Sequence, residues 1–266
     1  MKCFLFILCL LVALQSNAQE AVFTPVQTIE GDYIDFTVDN LGNYYLLSKN
    51  NQLKKVNAKG DSMGVFNDVR RYGKLYSIDV TNPLKVLLYY KNFATVVVLD
   101  RFLNMINTID LRKQNVFQVK AIAQSYDNNI WVYDEQSSKL KKIADDGRTI
   151  SETVEFRMFL DDVPSPTHIF DQDGFVYLYD PEKGIYVFDI YGSFKNKISY
   201  LGLTDLGIFG KTIVGIDGQQ LIAYTTGTLT ERKLPLPAIF AERQKVLIRP
   251  GHFYILQNGT VKHFTF

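Results

Sequence analysis

Across residues 169–189 apolar and polar positions alternate with a period of two. Val176 and Leu178 fall on one side and Phe175, Tyr177 and Tyr179 on the other, as on a pleated strand. Asp173-Gly174 precedes this strand as a turn, Pro181-Glu182-Lys183-Gly184 follows it, and 185–189 reads as the next strand. The same unit recurs at residues 34–66, 75–110, 121–154, 169–199 and, more degenerately, 207–233. A last unit, 245–266, has three strands, with Asn258-Gly259 as a tight hairpin turn.

The second strand of each unit starts at Tyr44, Val86, Ile130, Phe175, Ile213 and Phe253, a period of about 40 residues. Four strands per period read as propeller blades, so the expected fold is all-β: a six-bladed β-propeller in one domain, residues 19–266. The competing arrangements are a ring of five or seven blades and an open sandwich. The last unit lacks a strand, and residues 22–29 form an unassigned extended segment. Donating that segment as the outer strand of the last blade would close the ring and remove its open edges.

The units resemble the NHL-type repeat of six-bladed propellers (the NHL and TolB-like group). Asp171, Gly174, Tyr177, Asp180, Val187 and Phe188 match that pattern in the fourth unit. Asp39, Gly42, Asn43 and Tyr45 match in the first, and Asp127, Asn129, Trp131, Asp134 and Gly147 in the third. The second and fifth units lack the Asp-x-x-Gly turn. The resemblance implies a fold; such propellers serve as hydrolases, ligand sensors and scaffolds.

The amino terminus changes the expected compartment. Lys2, the apolar run 4–14 and small residues at Ser16 and Ala18 form a signal-peptide pattern, with cleavage before Gln19. The apolar run is too short to span a bilayer. Export is the expectation, to the periplasm or outside the cell, with association with the outer membrane as one form of it. No transmembrane segment is expected after cleavage. Both cysteines, Cys3 and Cys9, lie in the leader, so the mature chain is expected to carry no disulfide and no thiol chemistry.

Twenty-nine basic side chains face 28 acidic ones with no basic stripe, which argues against nucleic acid as a partner. Gly60-Asp61-Ser62-Met63-Gly64 spells the G-x-S-x-G of a nucleophile elbow. No helical pattern follows it, so a turn before an outer strand is the better reading. Asp171-Gln172-Asp173-Gly174 lacks the spacing of a calcium loop and reads as hairpin chemistry. His168, His252 and His263 have no partners at zinc-ligand spacing, although His168 opens an innermost strand and could face the central channel. Asn258-Gly259-Thr260 matches a glycosylation sequon but is fully explained as a turn. No catalytic residue, metal or cofactor is expected from the sequence.

The longer connections between blades hold the candidate binding residues: Arg70, Arg71, Tyr72, Arg112, Phe117, Arg157, Phe159, Phe240 and Arg243. Arginine and aromatic side chains carry most of the energy at protein interfaces, and loops on a rigid scaffold commonly bind. The expectation is a non-enzymatic protein-interaction or scaffold module of the cell envelope, its partner another envelope or secreted protein. The alternative is a small-ligand-binding or lactonase-like hydrolytic propeller with a site in the central channel.

Overall fold

A computed structural model describes residues 23–67 and 69–266 of the chain. The expected leader, residues 1–18, lies outside them. Six antiparallel four-stranded sheets follow in sequence. From the innermost strand outward, blade 1 is Tyr33–Val38, Tyr44–Ser48, Leu53–Val56 and Ser62–Phe66. Blade 2 is Ser77–Asn82, Lys85–Tyr90, Thr95–Asp100 and Met105–Asp110, and blade 3 is Val119–Gln124, Ile130–Asp134, Lys139–Ile143 and Thr149–Glu152. Blade 4 comprises His168–Gln172, Phe175–Asp180, Gly184–Asp189 and Phe194–Ile198; blade 5 comprises Thr204–Phe209, Thr212–Asp217, Gln220–Thr225 and Thr230–Pro235.

Blade 6 takes Lys245–Arg249, His252–Gln257 and Thr260–Thr265 from the carboxyl end and Thr24–Ile29 from the amino end. Thr24 pairs with Thr265 and Ile29 with Val261, so the closing strand completes the last sheet as the sequence pattern implies. The chain is a six-bladed β-propeller.

The two-residue alternation has a direct structural meaning. Both faces of each sheet are buried, each against a different neighbour. Val176 and Leu178 join Trp131 and Tyr133 between blades 3 and 4. Tyr177 and Tyr179 join Ile208 and Ile213 between blades 4 and 5. The seam between blades 1 and 2 holds Tyr45, Leu47, Leu88 and Tyr90, while that between blades 6 and 1 holds Tyr254, Leu256, Phe36 and Leu46. A one-residue slip in any strand would exchange its two faces, so packing on both sides pins the register.

Turn acids set the hairpins. Asp39 Oδ1 accepts the Leu41 and Asn43 N–H groups at 2.9 Å, and its Oδ2 accepts from Asn43 Nδ2 and the Tyr45 hydroxyl. Asp100 and Asp189 hold their turns the same way. Asp171 departs from the hairpin role expected of it. Its Oδ2 accepts from Ser125 Oγ, the Tyr126 N–H and Trp131 Nε1, all in blade 3, so it joins two blades instead of shaping its own turn. Asp173 and Gly174 make that turn, both with positive φ (51° and 80°). Ser62–Phe66 is the outer strand of blade 1 and no helix follows, consistent with reading the G-x-S-x-G stretch as a turn and strand.

Candidate functional site

Two regions collect chemistry: the central channel and the face formed by the connections between blades. Innermost strands of neighbouring blades pack side by side around the channel, and polar groups stitch them together. Asp79 Oδ2 accepts the Gln124 N–H at 2.7 Å and Asp205 Oδ1 the Val246 N–H at 2.9 Å. Lys245 Nζ lies 2.5 Å from Asp35 Oδ1, joining blade 6 to blade 1. Lys120 Nζ donates to Ser165 Oγ and O at 2.8 and 3.1 Å, and the Ser165 hydroxyl donates to Glu135.

His168 opens the innermost strand of blade 4 at the end of the channel nearest these connections. Solvent reaches it, yet the channel wall surrounds it; desolvation, with the nearby Lys245 ammonium, holds its pKa below the ordinary imidazole value. The Asp205 carboxyl is pushed up by burial. At the opposite end Arg249 donates to the Val38 carbonyl at 3.0 Å and lies over the Phe209 ring, 5.8 Å from its centroid. Apart from the Lys245–Asp35 pair, the ionic groups of the channel are thus engaged with backbone groups, the Ser165 hydroxyl and the Phe209 ring.

Beside that opposite end lies an open depression of about 280 Å³, lined by Asn40, Asn82, Gln124, Tyr126, Asn128 and Asp171 among others. Gln124 is 4% exposed and neither its Nε2 nor its Oε1 has a protein partner. Among the described residues no group of three or more His, Cys, Asp and Glu side chains is placed to hold a metal ion.

The connections between blades run over one face together with the turns between second and third strands. Backbone bonds tie the two sets: Glu135 N–H to Gln118 O, Phe156 N–H to Ser138 O, Gly202 N–H to Pro181 O and Leu236 N–H to Gln219 O. On this face the nine candidate residues separate by role. Phe117 and Phe159 are 54% and 41% exposed and remain open to a partner. Arg71 is exposed, its guanidinium 5.5 Å from the Tyr72 ring centroid. Tyr72 is half-buried against Tyr90. Arg70 sits in the 3-10 turn Val69–Tyr72, and its side chain lies outside the described residues.

The other arginines do local work. Arg112 holds Asp110 through Nε and Nη2 at 2.9 and 3.0 Å, Arg157 pairs with Glu155 at 2.8 Å, and Arg243 donates to Gly218 O, Phe240 O and Gln219 Oε1. Phe240 is a correction. It is 2% exposed, packed against Phe23, Phe253 and Phe264, because an apolar side chain at this point plugs the seam between blades 5 and 6.

Aliphatic and other aromatic residues complete the surface. Tyr76, Phe93, Met158, Leu201 and Ile239 are all exposed, Met158 at 80%. With Phe117 and Phe159 they place a large exposed apolar side chain on each of five connections, 67–76, 111–118, 153–167, 199–203 and 236–244; the sixth, 30–32, carries none. Two of them have near neighbours on this face: Lys91 Nζ stands 5.0 Å over the Tyr76 ring, and Phe93 packs against Gly73. A search confined to arginine and aromatics in connecting loops passes over the aliphatic members, though each lies in a stretch visible as a loop.

With this geometry in place, comparison with known proteins adds the fold and little more. No family model matches the chain and no curated protein matches it. Solved structures do. A catalytically inactive variant of virginiamycin B lyase from Staphylococcus aureus, crystallised with quinupristin, aligns at TM-score 0.62 and 11% identity, covering 90% of this chain and 99% of that one. BamB from Moraxella catarrhalis aligns at TM-score 0.51 and 12% identity over 92% and 98%. A chain of the mitotic checkpoint complex aligns at 0.57 and 10% over 94% and 95%. At such identities the likeness shows a propeller and assigns no activity.

Proposed function

We propose that this protein is an exported, non-enzymatic protein-interaction module of the cell envelope, and that its partner docks on the face built from the connections between blades. The observation that carries the reading is the exposed apolar side chain on every one of those five connections. Backbone bonds already tie four of these connections to neighbouring turns, so binding there costs little further ordering of them. Among solved propellers, the chain within the mitotic checkpoint complex is one used in a protein assembly. The leader pattern of residues 1–18 supports the compartment.

The test uses residues 19–266 as bait against envelope extracts, with cross-linking and mass spectrometry. A stoichiometric partner captured by the natural chain should be lost with Phe117→Glu/Met158→Glu and retained with Tyr191→Glu/Leu229→Glu, which alters turns on the other face. Equal capture by both variants would sink the reading. Export is tested separately: the first residue of the fractionated protein should be Gln19.

The second reading, a small-ligand or lactonase-like propeller, is favoured by the depression beside Gln124, whose buried amide lacks a protein partner. It requires saturable binding of a small molecule that is lost with Asn82→Ala.

A further inference from the structure

We propose that His252 and His263 form a two-histidine site for a divalent late transition-metal ion, of the Cu²⁺, Ni²⁺ or Zn²⁺ class. The two side chains sit in the last hairpin of the closing blade. The turn at Asn258-Gly259 sets its register: Tyr254 pairs with His263 and His252 with Thr265, which places the two imidazoles diagonally on one face. His252 Nδ1 and His263 Nε2 stand 2.9 Å apart. With metal–nitrogen bonds of about 2.0–2.1 Å, two cis ligands at angles between square and tetrahedral lie roughly 2.9–3.3 Å apart. The pair already has the separation that a shared ion demands.

The hydrogen bonds behind His263 fix its tautomer. Gln27 Oε1 can only accept, and the Tyr44 hydroxyl donates to it at 3.2 Å. Tyr44 Oη is then free to accept from His263 Nδ1–H at 3.3 Å, leaving a lone pair on Nε2 directed at His252. A second imidazole nitrogen held by a hydrogen bond is the usual arrangement of a metal-ligating histidine. The Tyr254 ring stacks on His263 with centroids 4.3 Å apart and fixes its plane. In the metal-free state His252 Nδ1–H fills the gap by donating to that lone pair. When an ion enters, this proton passes through solvent to Nε2 of the same ring, for His252 is exposed, and both rings remain neutral.

Arg249, paired with His252 in the ladder, sends its guanidinium to Val38 O and over Phe209, so it does not fill the site. Water supplies the remaining coordination, since no third His, Cys or carboxylate converges there among the described residues. Gln27 belongs to the amino-terminal strand, Tyr44 to blade 1 and both histidines to blade 6. An ion here would tighten the joint that closes the ring.

Tag-free, chelator-treated protein of residues 19–266 should bind one equivalent of Cu²⁺, with an electron paramagnetic resonance spectrum showing two equatorial nitrogens. Ni²⁺ should raise its unfolding temperature in a saturable manner. His252→Ala, at an exposed position, should fold normally and lose both signals, whereas His168→Ala should keep both. Stoichiometric binding that survives His252→Ala, or a natural chain that behaves like His252→Ala, overturns the assignment.

Discussion

Lys141 Nζ lies 2.8 Å from Asp134 Oδ2, and the two side chains are 9% and 3% exposed. The same carboxylate accepts from Ser137 Oγ at 2.6 Å and from the Gln136 N–H at 3.2 Å, so the turn between the second and third strands of blade 3 is built on it. Removing the acid leaves the buried ammonium only the more distant Glu152 carboxylate, 3.9 Å away. Asp134→Ala is expected to cost about 3–5 kcal/mol in urea unfolding, and Asp134→Leu with Lys141→Met to recover the share due to the ammonium but not that due to the turn. A loss below about 1 kcal/mol in the single variant would mean that the pair is not sealed from water.

Ring closure rests on more than the strand ladder. Phe23, just ahead of Thr24–Ile29, meets Phe240 and Phe253 edge-on at 5.1 and 5.2 Å between centroids and stacks on Phe266 at 5.4 Å. Phe23→Ala should lower stability by about 3 kcal/mol, near the lower end for a packed phenylalanine. Faster amide exchange should appear first in residues 24–29. Uniform loss of protection throughout all six blades would contradict a local clasp.

Gly64 lies in the outer strand of blade 1, where a Cβ would stand 2.2 Å from the Phe102 carbonyl oxygen of blade 2. Lys55 Nζ donates to the adjacent Arg101 carbonyl at 3.0 Å on the same seam. Gly64→Ala must therefore push the backbones of the two blades away from each other, at a cost of about 1–3 kcal/mol. Thermal unfolding of that variant beside Gly60→Ala, whose Cβ would meet nothing within 4 Å, checks it. Gly60 has φ of +90°, so some strain is expected there too, but no steric shift in the Phe102 backbone.

Asp162 anchors the connection 153–167 to the outer half of blade 4. Lys183 and Lys197 reach it at 2.8 and 3.0 Å, and the Tyr186 hydroxyl donates to it. Those bonds hold its pKa down at about 2, below the unfolded carboxyl value of 3.8. The depressed folded pKa means that its stabilisation is complete above about pH 4 and fades as pH falls toward 2. Asp162→Asn should shift the urea midpoint modestly at pH 7, since the carboxylate is half exposed. The difference between the two proteins should vanish near pH 2; a gap that widens on acidification would reverse the sign and refute the assignment.

Much of the ring is legible because the second strand of most blades is buried on both sides, which prints the blade pattern in consecutive residues. Phe175–Asp180 and Tyr44–Ser48 begin where the alternation places them. The fifth blade was harder. Its innermost strand starts at Thr204 and not at Gly207, because Asp205 adopts φ of 52° and the register shifts between Thr204 and Gly207, which interrupts the alternation. In blade 2, Thr81 and Asn82 belong to the strand, and Pro83-Leu84 alone makes the turn.

The sites were less legible, for a physical reason. Phe240 and Phe117 have the same chemistry and both lie in connections, yet one plugs a seam and the other faces solvent. Composition does not separate them; the neighbouring blade does. The two histidines of the last hairpin are 11 residues apart, beyond the short spacing of linear ligand motifs. Counting outward from Asn258-Gly259 would have placed them on one face.

Thr24 and Thr265 are partners at one end of the closing ladder, which brings the start of the first described strand and the end of the last to the same corner of the molecule. Tension applied between the two ends would therefore load one rung at a time, peeling the final sheet as a zipper opens. A ring packed at every seam between blades would thus yield readily to a pull on the two strands that close it. Tethering the chain by a terminus and by a mid-chain blade instead would spread the load across several sheets.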